Sequence, residues 1–344
     1  MPQDDLRSFF AEQPGVDRLT GRHVSAAFSA AGIQTRHTVL TGLGGAPDGV
    51  FVAEDGTLLS PTTGVRNERY RQAAPELAGR AARSALADGE IDAGQVTHLI
   101  TVSCTGFFAP GIDYRLIRDL GLPGTVERSH LGFIGCAAAL PALRLASQIA
   151  EARPGAVVLV VCVELCSLHV REMADPEQIV AASLFADGAA AAVVTADEAA
   201  GSPGGIVLEG FATALTDEGE SDMVWTIGDH GFRMTLSAEV PRIIGREIRE
   251  AVSGFLGEEE PPDIWAVHPG GRSVLDRVES GLGLAAPALA ASRSVLRDYG
   301  NMSSSTVLFI LRRLLEDPQV SDRIAALAFG PGLTVEFALM RKTE

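Results

Sequence analysis

The sequence has 344 residues with 28 basic and 44 acidic side chains, a formal net charge of −16. This balance argues against binding nucleic acid or an anionic membrane through overall charge, so an anionic substrate would need a local cluster of donors. Hydrophobic residues at 46% and charged residues at 21% are typical of a globular chain large enough for two domains or one duplicated unit.

The N-terminus has no basic segment followed by an apolar run, and the longest apolar stretch, 156–163, is too short to cross a bilayer. We therefore expect a cytoplasmic protein without a membrane span. The four cysteines lack the paired spacing of a metal site, and in a reducing compartment we expect free thiols and no metal.

The first half of the chain predicts alternating helices and strands. Residues 1–60 are weakly patterned, with a short helix at 24–31 and a Gly- and Pro-rich loop. The predicted elements that follow are a helix at 67–88, a strand at 96–103, a helix at 114–120, a buried strand at 131–134 leading into a helix, a strand at 156–163 and a helix at 176–183. The small residues of 184–195 suit tight contact between two layers.

The second half repeats this order. It predicts a helix at 240–255, a strand at 263–267, a helix at 302–316 and strands at 323–329 and 333–339. His268 follows its strand as Cys104 follows the earlier one, 164 positions apart, and Asn301 lies 165 positions after Cys136. Because these two pairs of residues have nearly the same spacing, the sequence predicts that one α/β unit occurs twice. The alternating strands and helices predict mostly parallel sheets covered by helices. The alternative is the chance alternation of many α/β chains.

Cys136 lies where a predicted strand turns into a helix. Unpaired N–H groups and the positive end of the helix dipole favour a thiolate there, so Cys136 is a candidate nucleophile. The alternative is a small buried cysteine packed beside alanines. If the two units pack face to face, Cys136, His268 and Asn301 converge. A nucleophile, a base and an amide donor are the set needed for acyl transfer through a thioester.

Six segments in chain order resemble those of one known family. They are VSCTGFFAPG (102–111), GFIGCAAALPALRLA (132–146), LFADGAAAAVV (184–194), AVHPGGRSVLD (266–276), YGNMSSSTVLFIL (299–311) and AFGPGLTVE (328–336). Together they resemble the type III polyketide synthases, or chalcone synthase superfamily, and VCVELCSLH with IGDHGFRMTLSAEVPR looks most like its bacterial members. The resemblance implies the thiolase fold, an α/β fold of two duplicated halves, 1–204 and 205–344, in a five-layered αβαβα arrangement.

The resemblance also implies an acyltransferase that uses CoA thioesters and no further cofactor. Cys136 would hold the starter and the growing chain. His268 would stabilise the thiolate as an imidazolium and, with Asn301, donate hydrogen bonds to the thioester carbonyl of malonyl-CoA. Such a donor at a developing enolate is worth about a hundredfold to a thousandfold in rate. We expect decarboxylative condensation onto an acyl starter, with a fatty acyl-CoA favoured, and cyclisation to an alkylpyrone, alkylresorcinol or related ring.

Further residues match family positions around the cavity. Phe185 matches a gate phenylalanine whose apolar face would assist loss of CO2, and Met234 replaces a second one, which would soften the mouth. Ala109 matches the position that reaches across a homodimer. The other predicted cavity residues are Cys104, Cys166, Trp225, Phe329 and Pro331, and Gly271 and Ser273 match positions that contact the CoA arm. For Phe185 the alternative is ordinary core packing, and for Cys104 and Cys166 it is an inert buried cysteine.

Other functions remain as alternatives. A ketoacyl-carrier-protein synthase III would make one extension on a carrier protein, but HPGGRSVLD and the GPG loop argue against it. A cysteine hydrolase also uses Cys, His and Asn, yet no papain-like signature surrounds Cys136. An idle scaffold would not need all three residues. Basic residues that would grip the CoA phosphates have no clear match apart from Arg22 and His23.

Overall fold

Helices and strands alternate along most of the chain in the computed structural model, which describes residues 1–173, 176–196, 204–257, 261–262, 264–320 and 323–343. The first half contains α1 (Gln3–Ala11), α2 (Arg18–Ala30), α3 (Thr63–Asp88), β1 (His98–Ser103), α4 (Ile112–Leu120), β2 (Glu127–Gly132), α5 (Ala139–Ala152), β3 (Val157–Leu165), α6 (Pro176–Leu184) and β4 (Asp187–Thr195). The second half contains β5 (Ile206–Leu215), β6 (Met223–Gly228), β7 (Gly231–Leu236), α7 (Val240–Leu256), β8 (Ile264–Val267), α8 (Arg272–Leu282), α9 (Ala290–Tyr299), α10 (Thr306–Glu316), β9 (Arg323–Gly330) and β10 (Thr334–Lys342).

The predicted duplication is confirmed by the pairing of the strands. One sheet has the order β2-β1-β3-β4 and the other β5-β10-β9-β8, and a separate hairpin joins β6 to β7. In each sheet a parallel pair is followed by an antiparallel strand. The two parallel pairs share one register, because His98 pairs with Val158 and Ile264 with Ile324, both 60 positions on (158 minus 98, and 324 minus 264).

The prediction of mostly parallel sheets is right for the first sheet and wrong for the second. β1 runs parallel to both β2 and β3, whereas in the second sheet only β8 and β9 are parallel. β10 is antiparallel to both β9 and β5. Only residues 331–333 separate β9 from β10, and so short a connection permits a hairpin and no crossover. A buried strand is a continuous apolar run whether it is parallel or antiparallel to its neighbours, so its composition does not indicate its direction.

The side chains of the central strands alternate between two cores, which gives five layers. On β3, Leu159 and Val161 face the core under α3 and α4, whereas Val158 and Val160 face the core that contains α5 and α10. β9 alternates in the same way between that middle core and a third core under α7 and α8. The layers are therefore α, β, α, β and α, as the resemblance implies, with α5 and α10 in the middle.

Two local predictions differ from the structure around the nucleophile. The strand predicted as buried at 131–134 is β2, which ends at Gly132 and is largely exposed because it forms the edge of its sheet. Cys136 then lies in a 3-10 turn, Gly135–Ala137, and α5 begins only at Ala139. The tight layer contact predicted at 184–195 is present, since a Cβ at Gly188 would lie 2.4 Å from the Met302 sulfur. Asp263 lies outside the described residues.

Candidate active site

Cys136 is held in a turn that is fixed from both halves of the chain. Gly135 has a φ of +81°, and a Cβ there would come within 2.3 Å of Pro331 Cδ. Its N–H donates to Cys104 Sγ at 3.1 Å. On the other side, a Cβ at Gly330 would lie 2.7 Å from the Ile134 carbonyl oxygen. The turn therefore sits against the end of β9, with no room for a side chain at either glycine.

The segment between α9 and α10 brings Asn301 to Cys136. Asn301 is 1% exposed, and its Oδ1 accepts from the Ser303 N–H at 2.8 Å. A backbone N–H can only donate, so this bond fixes the amide orientation and leaves Nδ2 as the donor toward the thiol. The side chains of Asn301 and Ser303 both lie close enough to Cys136 to lower the pKa of its thiol. Two of the three predicted catalytic residues are thus in direct contact.

Main-chain bonds tie the same segment to the predicted gate. The Asn301 N–H donates to the Leu184 carbonyl at 2.9 Å, and the Ala186 N–H donates to the Asn301 carbonyl at 2.8 Å. These two bonds flank Phe185, which pairs with Asn301 as an isolated parallel bridge. A displacement of Phe185 would therefore also displace Asn301.

His268 follows β8 and is 1% exposed. The backbone N–H of His268 donates to the carbonyl oxygen of Leu327 at 2.7 Å. Leu327 lies on β9, three residues before Gly330, which contacts the Cys136 turn. Within the described part of the chain, neither ring nitrogen has a hydrogen-bond partner. Leaving a buried polar atom unpaired costs about 1 to 3 kcal/mol, so the ring points to a ligand that supplies the missing partner.

Burial opposes charge on both members of the nucleophile and base pair. It raises the pKa of Cys136 to about 12, against hydrogen bonds from Ser303 and Asn301 that lower it, and it lowers the pKa of His268 to about 3. The expected stabilisation of a thiolate at a helix start is outweighed by desolvation, which has the largest effect on the pKa of Cys136, and α5 begins only at Ala139, after the 3-10 turn. Burial therefore favours the neutral thiol of Cys136 and the neutral imidazole of His268.

A cavity reaches Cys136, and its walls are mainly apolar. The predicted gate and cavity residues that line it are Cys104, Cys166, Phe185, Trp225, Met234 and Pro331. Trp225 and Met234 face each other across the β6–β7 hairpin, and Trp225 Nε1 donates to the Cys104 carbonyl at 2.7 Å. The hairpin therefore forms one wall opposite the nucleophile.

Other predicted residues lie outside that lining. His268 and Asn301 are buried but do not line the cavity, and Phe329 packs in the core under α7 and α8. Gly271 is buried just before α8, where a Cβ would lie 3.4 Å from Leu184, and Ser273 is exposed on the first turn of α8. Arg22 and His23 are likewise on the surface side of α2.

Sequence reasoning missed two polar groups next to the nucleophile. One is Ser303, which has a φ of +50° and lies close to Cys136. The other is Glu164, which is fully buried and accepts from the Cys104 N–H at 2.9 Å and from Ser304 Oγ at 2.5 Å. Burial raises the pKa of Glu164 to about 7. The sequence feature that could have identified Glu164 is a single acidic residue in the otherwise apolar strand β3.

The described residues contain no group of three or more His, Cys, Asp or Glu side chains placed to hold a metal ion. Among the helices described, none is long and apolar enough to span a bilayer.

The sequence matches chalcone and stilbene synthases over both of their domains, the N-terminal domain at residues 26–198 and the C-terminal domain at 211–344. The protein named "Alpha-pyrone synthesis polyketide synthase-like Pks18" from Mycobacterium tuberculosis is 34% identical over 276 residues, which cover 78% of this chain and 70% of that protein. "Probable polyketide synthase 1" from Dictyostelium discoideum is 32% identical over 94% of this chain, which spans 10% of that protein's length.

The fold agrees with these relatives. The crystal structure of PKS-I from the brown alga Ectocarpus siliculosus superposes with a TM-score of 0.91 at 30% identity, covering 99% of this chain and 94% of the other. Together these relatives come from a mycobacterium, Dictyostelium and a brown alga, so they do not single out the bacterial members. The chain belongs to the chalcone and stilbene synthase family, the type III polyketide synthases, which have the thiolase fold and act as acyltransferases on CoA thioesters without a further cofactor.

Proposed function

We propose that this type III polyketide synthase loads a fatty acyl group onto Cys136, extends it with malonyl-CoA and releases an alkylpyrone, alkylresorcinol or related ring. The observation that carries the proposal is the mainly apolar cavity that opens at Cys136. Burial of an alkyl chain there contributes about 0.8 kcal/mol per methylene group. The relative named for α-pyrone synthesis favours a pyrone among these products.

Loading follows from the thiol and the imidazole. As the Cys136 sulfur attacks the starter thioester, His268 takes its proton through a ring nitrogen that has no other partner among the described residues. The new sulfur–carbon bond forms, the bond to CoA breaks, and the proton leaves with the CoA thiol. Burial lowers the pKa of His268, which keeps the imidazole neutral and able to accept, but it also disfavours the imidazolium, so the proton is held only briefly and passes to the leaving CoA sulfur.

Extension uses the donors around the same sulfur. When malonyl-CoA loses CO2, negative charge develops on its thioester oxygen, and Asn301 Nδ2 with a ring N–H of His268 stabilises that enolate. The enolate carbon attacks the Cys136 thioester, which transfers the chain to CoA and frees the Cys136 thiolate. Phe185 assists the loss of CO2 because its apolar ring disfavours a retained carboxylate. Met234, opposite Trp225, gives a flexible wall that adapts to a growing chain.

We also propose a homodimer, because an aromatic patch lies exposed beside the nucleophile turn. Phe107 is 50% exposed and Phe133 38% exposed, and their ring centroids are 6.0 Å apart. The neighbouring strand β2 is an exposed sheet edge, and Ala109 is exposed as well. Exposed aromatic rings beside an open edge are typical of an interface between chains.

The test is to incubate the purified protein with malonyl-CoA and a series of acyl-CoA starters from C2 to C18, and to identify the products by mass. We expect pyrone or resorcinol masses that correspond to two or three extensions of a medium or long chain, and none with Cys136→Ala. Products from aromatic or short starters alone would contradict the fatty acyl starter. A β-ketoacyl product of one extension would instead favour the ketoacyl synthase III alternative.

A further inference from the structure

The N-terminal helix α1 contributes to the wall of the cavity that opens at Cys136. Leu6 and Phe10 both line that cavity, together with Met1. They are four residues apart on one face of the helix, so their side chains lie one above the other, about 6 Å apart along the axis. Leu6 is 5% exposed and Phe10 2% exposed, which places both on the inner side of α1.

Hydrogen bonds fix α1 to the segments around the cavity. Gln3 Nε2 donates to the Ser183 carbonyl at 2.9 Å, two residues before Phe185. The Gln3 N–H donates to the Gln34 carbonyl at 2.8 Å, and the Arg36 N–H donates to the Met1 carbonyl at 2.9 Å. The start of α1 is therefore anchored at both sides, and Leu6 and Phe10 are held at a defined distance from the gate.

The Phe10 ring is also held by its neighbours. Its centroid lies 5.2 Å from that of Phe9, in an edge-to-face arrangement, and 5.8 Å from that of Phe28. Aromatic pairs of this geometry add to the stability that burial gives. Leu43 and Ala182, which line the same cavity, are apolar too. Phe10 is thus part of a packed wall.

We propose that Leu6 and Phe10 form the end wall of the acyl-chain compartment and set the length of the starter that Cys136 accepts. This inference rests on the proposed use of a fatty acyl starter. The chain extends from the Cys136 thioester into the cavity, and its last carbons meet these two side chains. A longer chain has to displace a buried leucine or an aromatic ring packed on two others, whereas a shorter chain leaves apolar wall uncovered.

The experiment measures kcat/KM for saturated acyl-CoA starters from C4 to C18 with Phe10→Leu, Leu6→Phe and the parent enzyme. Phe10→Leu enlarges the cavity at its end. We divide kcat/KM for a starter two carbons longer than the parent optimum by kcat/KM for the optimum itself, and we expect this ratio to be about tenfold higher in Phe10→Leu than in the parent. Leu6→Phe fills space and shifts the optimum to shorter chains. Both ratios compare two substrates in one preparation, so a smaller folded fraction does not change them.

Phe9→Leu is the matched control, because Phe9 neighbours Phe10 on the same helix and touches its ring without lining the cavity. The control keeps the parent optimum. An unchanged optimum in both cavity variants overturns the inference alone. A uniform change in KM for every acyl-CoA overturns it too, because α1 would then contact the CoA arm. A parent enzyme that accepts no starter beyond C4 overturns both the proposed function and the wall.

Discussion

At the scale of single residues, the orientation of the Asn301 amide is fixed by its bond from the Ser303 N–H. Asn301→Asp keeps that acceptor but replaces the Nδ2 donor with a carboxylate oxygen, which also repels an enolate, whereas Asn301→Ala removes the donor without adding a charge. We expect malonyl-CoA decarboxylation to fall by about a hundredfold to a thousandfold, as for loss of one oxyanion donor. The rate of decarboxylation should fall as far in Asn301→Ala. The measurement is the rate of CO2 release from malonyl-CoA alone.

Starter loading provides the control for the Asn301 variants. Because the proposed loading step uses Cys136 and His268 and not Asn301, the mass of the enzyme should still increase by one acyl group when a starter is added without malonyl-CoA. Decarboxylation at the parent rate in Asn301→Asp would show that another group stabilises the enolate.

The buried carboxyl group of Glu164 makes the stability of the folded protein depend on pH. Burial raises its pKa from 4.5 to about 7, so between these values the folded protein holds a proton that the unfolded chain has released. That contribution to stability is complete below about pH 4.5 and is lost as the pH rises through about 7. Glu164→Gln cannot ionise. We expect the unfolding free energy of this variant, relative to the parent, to increase by about 2 to 3 kcal/mol between pH 5 and pH 8.

Denaturant unfolding at the two pH values measures this difference. Glu12→Gln is the control, since Glu12 is on the surface, and its difference from the parent should not change with pH. A Glu164→Gln difference that is the same at pH 5 and pH 8 would mean that the carboxyl group is already ionised at pH 5 in the folded protein.

The candidate catalytic residues could be named from the sequence because each follows a recognisable motif, but their ionisation could not. The pKa of Cys136 is set mainly by the burial of its sulfur, which depends on parts of the chain far from Cys136 in sequence. Ser303 was missed for a similar reason: a serine run after an asparagine looks like a helix start, and only the φ of +50° turns this one toward the thiol.

At the scale of secondary structure, the turn from β2 to α5 depends on Gly135. Its φ of +81° disfavours any side chain, and a Cβ would overlap Pro331. Gly135→Ala should therefore lower the unfolding free energy by at least about 1 to 2 kcal/mol, and it should displace Cys136. We expect a slower gain of acyl mass on the enzyme and a lower melting temperature.

Gly124→Ala is the matched control for that variant. No atom lies within 4 Å of a Cβ at Gly124, so its melting temperature and loading rate should stay close to the parent values. Normal loading in Gly135→Ala would show that the turn can move away from Pro331 without moving the sulfur.

Most elements could be predicted from periodicity because they are long and amphipathic or wholly buried. Helix α6 begins at Pro176 as predicted, and α7 differs from its prediction by one residue at its end. Strand β2 was placed too late because the apolar residues after it, Phe133 and Ile134, belong to the turn. Strand direction in the second sheet could not be read from composition, since it depends on the short loop after β9.

At the scale of the whole molecule, the duplication explains why residues 164 or 165 positions apart serve one site. The equivalent strands β1 and β8 are followed directly by Cys104 and His268, and the equivalent connections carry Cys136 and Asn301. Because α5 and α10 share the middle layer, their first turns meet between the two sheets. Two motifs that look unrelated in the sequence thereby lie next to each other at Cys136.

The exposed aromatic patch allows the proposed homodimer to be tested. If the exposed patch of Phe107 and Phe133 is buried between two chains, the parent protein has twice the mass of one chain in sedimentation equilibrium, and Phe107→Asp shifts it toward the monomer because a carboxylate cannot be buried unpaired. Leu215→Asp, at a residue 74% exposed at the end of β5 on the other sheet, is the control and leaves the dimer intact. A monomeric parent at micromolar concentration, with full activity, would show that the site is complete within one chain.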